Sequence, residues 1–482
     1  MNILAIDQGT TSTRALVFDA RGKVLATAQR ELAIATPHDG WVEQDAAAIA
    51  ADTLALCREV IEKTGIDTIA AIGITNQRET TIVWDRATGR PIAPAIVWQD
   101  RRTADACVRL DAETVACKTG LLCDAYFSGT KIAWILDNVP GARQRAERGE
   151  LAFGTVDSFL LWHLTEGRVH ATDATNASRT MLYDIHAHAW DDGLCVMLDV
   201  PRAMLPELRE SGGDFGVTNL FGKPLPIRAI LGDQQAALFG QACFETGMCK
   251  STYGTGCFML MNIGDTPRRS QNRLLTTVAW RLDGKTTYAI EGAIFVAGAA
   301  VQFLRDSLHL ITSARETEAM ARSVPDCAGV IFVPALTGLG APYWDPHARG
   351  ALFGLTRGTT PAHIVRAALE AQAFQTRDLI GAMQADTGQA LSCLRVDGGL
   401  ARNDFVCQTI ADQLECAVER PANVETTAWG AAALAGLTSG VFKDMETIAG
   451  LWRRDTRFVP EKSQNRDDGY AHWQAAIRRV MT

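Results

Sequence analysis

A pattern that occurs twice constrains this chain more than any other feature. Near the start, an apolar run at residues 3–6 breaks at Asp7-Gln8-Gly9-Thr10-Thr11-Ser12 and resumes at residues 14–19. In the second half, residues 250–253 break at Gly254-Thr255-Gly256-Cys257 and resume at residues 258–262. Each stretch reads as strand, tight turn and strand. A chain of 482 residues is too long for one ordinary core. Two such units, each opening one half, predict a distant internal duplication with halves 1–244 and 245–482.

The pattern between them is of one kind. After the turn ARGK, residues 24–31 read as a third strand. Apolar spacing of three and four predicts a helix over 45–64, with Asp45 as its cap. Residues 69–75 form a buried strand, and TIVWD–RATG–RPIAPAIVW reads as a hairpin. Further on come a helix from about 297, a strand at 393–396, the turn DGGLARND, a helix to about 414 and a strand at 417–419. TTAWGAAALAGL is a helix of small residues, able to approach a neighbour closely. Strands alternating with helices predict an α/β fold.

Composition narrows the class. Apolar residues make up 47% and charged residues 21%, the balance of a folded globular chain. The net charge of −8 argues against a nucleic-acid partner, though not against a locally basic pocket for an anion. The most apolar stretch, residues 293–301, is far short of a membrane span. No secretory signal is expected. The 12 cysteines are scattered without a CxxC pair, so reduced thiols and a cytoplasmic location are expected.

Five motifs carry chemistry, each beside a plainer reading. At the first turn, glycine and small hydroxyl residues let backbone N–H groups and side chains converge on phosphate oxygens. Arg14 can add charge there, and Asp7 is placed to hold a hydrated Mg²⁺; the plain reading is a tight hairpin. Ser251-Thr252-Tyr253-Gly254-Thr255-Gly256 is a near-equivalent tip, and a pair of tips can hold a polyphosphate from both sides. In Gly232-Asp233-Gln234-Gln235, a carboxylate at a strand end can accept the proton of an attacking hydroxyl, or it can cap a helix. In Asp397-Gly398-Gly399-Leu400-Ala401-Arg402-Asn403, paired glycines admit a flat ligand and Asn403 can bond an adenine edge, or cap the next helix. Arg78-Glu79, at the end of a buried strand, offers a donor beside an acceptor, which suits a vicinal diol; the alternative is a structural ion pair. His186 and His188 have no companions for a metal set. The charged run at 453–455 reads as a solvated face, and Asn176-Ala177-Ser178 as a meaningless glycosylation match.

In order along the chain, DQGTTSTRA, AAIGITNQRETTIVWD, IVWQDRR, YFSGTKIAWILDN, GTVDSFLLW, TNASRTML, GDQQAALFGQ, STYGTGCFMLMN, PALTGLGAPYWDP and RVDGGLARNDF resemble the FGGY family of carbohydrate kinases. The resemblance runs from residue 2 to about 480 and is specifically with members that phosphorylate glycerol. YFSGTKIAWILDN and GALFGLTRGTTPAHIVRAALE match the two family signatures. It implies two actin-like (ribonuclease H-like) ATPase domains closing on an interdomain cleft, the first binding polyol and phosphate, the second nucleotide. The implied activity is ATP-dependent phosphorylation of glycerol to sn-glycerol 3-phosphate, with Mg²⁺. Arg78, Glu79, Tyr126, Asp233 and Gln234 match polyol-binding positions, Asp233 being the general base, and Trp98 and Phe258 match aromatics that enclose the carbon face. Thr10, Thr11, Ser12, Arg14, Thr255, Gly298, Gln302, Gly399 and Asn403 match nucleotide-contacting positions, and Asp7 the magnesium-associated carboxylate. A homo-oligomer, dimer or tetramer, is also implied. The competing readings are a kinase of another polyol or a ketose, and an actin-like ATPase of filament or chaperone type.

One segment departs from the family. Many bacterial members carry a longer Gly-Lys-Gly-Gly-Thr-Arg loop, tied to inhibition by fructose 1,6-bisphosphate, before the strand leading to the catalytic Asp. Here residues 221–228 read FGKPLPIR, shorter and with two prolines. That regulation is expected to be weak or absent.

Overall fold

Strand Asn2–Gln8 is the axis of the first half, and its near-total burial explains its unbroken apolar sequence. The computed structural model describes residues 1–461 and 466–481. On one side of the axis, Ser12–Phe18 and Val24–Glu31 follow as an antiparallel meander. On the other lie Ile69–Asn76 and Leu225–Gly232, both parallel to neighbours. Helix Ala46–Thr64 connects the meander to the parallel side, and Asp45 caps it by accepting from the N–H groups of Ala47 and Ala48.

The second half repeats this plan around Met248–Tyr253. Cys257–Gly264 and Lys285–Ile294 are antiparallel neighbours on one side, while Cys393–Asp397 and Val418–Pro421 run parallel on the other. Strands Leu275–Leu282 and Arg454–Phe458 extend this sheet to seven. The five strands from Val24–Glu31 to Leu225–Gly232 and those from Lys285–Ile294 to Val418–Pro421 share order and strand sense. The last long strand of the first sheet ends at Gly232 and the second sheet begins at Met248, so the chain changes sheets close to residue 244.

Chain order and packing diverge at one helix. Thr426–Thr438 comes late in the sequence but covers the first sheet and crosses helix Asp233–Gly240. A Cβ at Gly430 would lie 1.8 Å from the Ala236 carbonyl oxygen, and one at Gly240 would lie 2.0 Å from that of Thr426. Only glycine permits this backbone-on-backbone contact, which is why the helix is built of small residues.

The expected hairpin over 81–98 forms, its arms bridged at Trp84–Pro91 and Thr81–Ile96. The turn forms, with Asp85 N–H donating to the Arg90 carbonyl at 2.9 Å. However, Ile82–Asp85 pairs along its length with Leu151–Gly154, and Ala95–Ile96 pairs with Glu43–Gln44. Each arm therefore also pairs with a distant strand on its other edge, which local turn chemistry cannot reveal. Asn176 is buried and exchanges amide hydrogen bonds of 2.9 and 3.1 Å with Asn76, so the glycosylation match is a core pair. All 12 cysteines are free thiols. Among the described residues, no helix is long and apolar enough to cross a membrane.

Candidate active site

The ends of the two axial strands converge on a cluster of buried charge. Arg78 and Glu79 follow strand Ile69–Asn76 and are almost fully buried. Glu79 takes a left-handed backbone (φ 60°), and its carbonyl oxygen accepts from the hydroxyls of Thr81 and Ser128 at 3.0 and 2.9 Å. The turn thereby aims both side chains toward the second half.

There, Glu291, from the middle of strand Lys285–Ile294, accepts a bidentate pair from Arg78 at 2.6 and 3.0 Å. It also accepts from Arg179 at 2.9 Å, while Arg179 Nε donates to Glu79 at 2.7 Å. Two arginines and two glutamates thus close a ring. Burial pushes the Glu291 carboxyl up, but Arg179 and Arg78 outweigh it and leave the pKa at about 2. Burial holds the Glu79 carboxyl above its ordinary range, against the pull of Arg78 and Arg179. The ion-pair reading of Arg78–Glu79 is realised, the pair being part of a buried network of two arginines and two glutamates.

Asp233 stands at that edge. It opens helix Asp233–Gly240, its carboxylate 3.3 Å from Arg78 Nε and about a third exposed. It does not cap the helix in the usual way, since its Oδ1 accepts from the next N–H, that of Gln234, at 2.7 Å. Gln234 in turn accepts from the buried Lys250 ammonium of the second half. Burial lowers the Lys250 pKa, opposed by Asp397 and Asp233.

An aromatic wall borders the carboxylates. Trp98 meets Tyr126 at 5.5 Å and Phe258 at 6.0 Å between ring centroids, edge to face in both cases. Burial, and then the Glu79 charge, hold the Tyr126 hydroxyl protonated far above neutrality. Its carbonyl oxygen accepts from Lys131, a buried lysine whose pKa burial lowers to about 7. Trp98 Nε1 donates to the Thr10 hydroxyl at 2.9 Å, which ties the wall to the first tip.

That tip is built from several sides. Gly9 N–H donates to Ser12 at 2.9 Å to close the turn, and Gln44 Nε2 donates to the Thr10 carbonyl at 2.6 Å. Gln77 donates to Gln44 and to Gln8 at 2.8 and 3.1 Å. Thr11 projects into solvent, with Thr10 and Ser12 half-buried beside it. Arg14 is less free than its position suggested, because its guanidinium lies between Asp7 and Glu425, 2.5 Å from the latter. Burial raises the Asp7 pKa, Arg14 opposes this, and the charges of Asp233 and Glu425 raise it further. Asp7 and Asp233 therefore feel one another across the site, and a cation between them would relieve that repulsion. Among the described residues, no group of three or more His, Cys, Asp or Glu side chains could hold a metal ion. This donor set fits a Mg²⁺ that keeps most of its waters and phosphate ligands.

The second tip is exposed at Gly254 and Thr255. Its carbonyls accept from the N–H groups of Ala297, Gly298 and Ala299 at 2.9, 2.9 and 3.0 Å, which seats helix Gly298–Asp306 directly behind it. A Cβ at Gly298 would lie 2.6 Å from the Gly254 oxygen, so glycine is required there. Gln302, one turn on, is exposed. Gly399 has open space beside its Cα. Asn403 caps the next helix: its Oδ1 accepts from Val406 N–H at 3.2 Å, and its Nδ2 donates to Thr317 at 3.1 Å. The capping reading is realised, and one amide hydrogen is left over for a ligand.

The structure thus unites the sequence candidates of the first tip, the charged edge and the aromatic wall. It adds Arg179, Glu291 and Lys250, which sequence reasoning missed as site residues. Two lobes of like topology, each with a Gly/Thr tip and joined by a cluster of buried charge, define the class of actin-like phosphotransferases. Family models agree: residues 2–240 match the N-terminal domain of the FGGY family of carbohydrate kinases, and residues 249–439 its C-terminal domain. The chain belongs to the FGGY family of carbohydrate kinases. It is 58% identical to a glycerol kinase of Alcanivorax borkumensis, covering 99% of this chain and 98% of that one. It is 57% identical to glycerol kinase 1 of Pseudomonas aeruginosa, covering 100% and 99%. The crystal structure of Plasmodium falciparum glycerol kinase with ADP superposes with a TM-score of 0.95 at 35% identity, covering 100% and 98%. A xylulose kinase from Rhodospirillum rubrum shares the fold, with a TM-score of 0.88 at 22% identity over 100% and 99%.

Proposed function

We propose that this enzyme transfers the γ-phosphoryl group of ATP to a terminal hydroxyl of glycerol, giving sn-glycerol 3-phosphate and ADP. The observation that carries the reading is Asp233, a part-exposed carboxylate held 3.3 Å from Arg78 beside the Trp98–Tyr126–Phe258 wall. Relatives bearing the glycerol kinase name over the whole chain support the choice of substrate.

In this reading Arg78 and Glu79 each bond one hydroxyl of a vicinal pair, with Tyr126 and Gln234 completing the polar contacts. Trp98 and Phe258 cover the carbon face, leaving little room for a sugar chain. The remaining hydroxyl points at the γ-phosphorus, and Asp233 takes its proton as the new O–P bond forms and the bond to ADP breaks. Thr10, Thr11 and Ser12 from one side and Thr255 from the other hold the phosphates. Arg14 adds charge if it leaves Asp7 or Glu425. Gly298, Gln302, Gly399 and Asn403 line the nucleotide path, where the spare Asn403 amide hydrogen can meet the base edge. Asp7 is the residue that would hold a hydrated Mg²⁺, which would supply neutralising charge to the phosphate oxygens. Positioning and fixed charge provide most of the acceleration, and closure of the lobes excludes water. A cytoplasmic location and a homo-oligomeric state accompany this reading and rest on the family resemblance.

The test is coupled ADP release with a panel of polyols and ketoses. Glycerol is expected to have the highest kcat/KM, and ATP turnover without a polyol to be slow. Preference for a pentulose, or full turnover without any polyol, would overturn the assignment.

A further inference from the structure

The family site leaves one chemically distinctive cavity unused. A cavity of about 330 Å³ opens where the turn after strand Ser12–Phe18 meets the chain after strand Val418–Pro421. Trp429, Trp452 and Leu451 contribute apolar wall, and Arg21, Lys23 and Arg453 line it as exposed cations. No lining residue is acidic, in a chain whose net charge is −8. The Asp19 carboxylate on the same turn accepts from the backbone N–H groups of Arg21 and Lys23 at 2.8 and 2.9 Å. Arg453 donates to the main-chain carbonyls of Gly450 and Trp452. Three cations therefore share one opening without a carboxylate among the lining side chains.

The aromatic wall is held in place. Arg395 lies 3.8 Å from the Trp452 ring, whose Nε1 donates to Gln241 at 3.0 Å, and Trp429 packs against Phe18 and Phe442. A bare inorganic anion would use the charge and waste the indoles, while a neutral ring would do the reverse. The volume falls within the range of small-molecule sites.

We infer that this cavity is a second ligand site, for a small phosphomonoester carrying a flat apolar ring, and that its occupancy bears on the phosphate tip. The coupling follows from the chain itself and rests on the kinase reading above. The lining residue Asn423 accepts from Glu425 N–H at 3.0 Å, and the Glu425 carboxylate holds Arg14, which holds Asp7. A ligand drawn onto residues 421–423 shifts the group that competes with ATP phosphate for Arg14.

The experiment titrates 1-naphthyl phosphate calorimetrically into the full chain, saturated with glycerol and a nonhydrolysable ATP analogue so that the family site is filled. One saturable site is expected, with 1-naphthol and inorganic phosphate each binding about tenfold more weakly or worse. The double variant K23E/R453E is expected to weaken binding by about tenfold or more, with Trp452→Ala as the independent test of the wall. Basal kcat/KM for glycerol in K23E/R453E should stay within about twofold of the parent, and 1-naphthyl phosphate should change the KM for ATP in the parent but not in this variant. Undiminished binding in both variants, equal binding of inorganic phosphate, or no saturation at millimolar ligand would overturn the site. Binding with no change in the KM for ATP would overturn the coupling. The titration needs no turnover, so its failure leaves the kinase reading untouched.

Discussion

Glu291 stands between two guanidinium groups, 2.6 Å from Arg78 and 2.9 Å from Arg179, and reaches them from the opposite lobe. The contact joins residues 213 apart in sequence and makes this buried charged edge a joint product of both halves.

Replacing Glu291 with Gln leaves two buried arginines with one carboxylate between them. Breaking a buried ion pair in this way costs on the order of 3 kcal/mol. Denaturant unfolding should show that loss, and glycerol KM should rise because Arg78 is no longer fixed. Unchanged stability and KM would show that the ring is ornamental.

The same group sets an acid limit. Its folded pKa, about 2, lies below the ordinary 4.5, so the stability it contributes is fully present above about 4.5 and is lost as pH falls through about 2. Glu291→Gln should therefore flatten the stability-versus-pH curve in that window. Parallel curves for the two proteins would refute the assignment.

Asp233→Asn should lower kcat by about 10²–10⁴-fold while glycerol affinity stays within about tenfold. Single-turnover kinetics with isothermal titration separates the two quantities. Turnover close to the parent's would exclude Asp233 as the base.

Trp98 divides two roles. Trp98→Phe keeps a ring beside Tyr126 and Phe258 but removes the donor to Thr10, so ATP KM should rise by about two- to tenfold, the worth of one hydrogen bond, with glycerol KM little changed. Trp98→Ala should raise both. If Phe and Ala behave alike, the bond to Thr10 has no part in phosphate binding.

Residues 221–228 form a short return between Val217–Thr218 and Leu225–Gly232, with Val217 paired to Pro226 and Lys223 2.8 Å from Asp67. Fructose 1,6-bisphosphate at millimolar concentration should change initial rates by less than about twofold. Strong inhibition would show that a different surface receives it.

What the sequence disclosed was local. The tips, the capped helix at Asp45 and the carboxylate after Leu225–Gly232 lie within windows of a dozen residues, where turn chemistry and periodicity operate. Arg179 and Glu291 sit singly in ordinary surroundings, and their meaning depends on partners 100 to 213 positions away. Distance hid the pairing of Ile82–Asp85 with Leu151–Gly154 in the same manner. At Asn403 one amide suits a cap and a ligand equally well, and its bonds to Val406 and Thr317 establish the cap.

The contact between Ala236 and Gly430 has a mechanical meaning. Two helices touching backbone to backbone make a fulcrum, since no side chain between them can compress. Asp233 lies three residues, roughly 4.5 Å along the helix, from that point. A methyl group at position 430 would lie 1.8 Å from the Ala236 carbonyl oxygen, so one added carbon would push the helix that carries Asp233 off its seat.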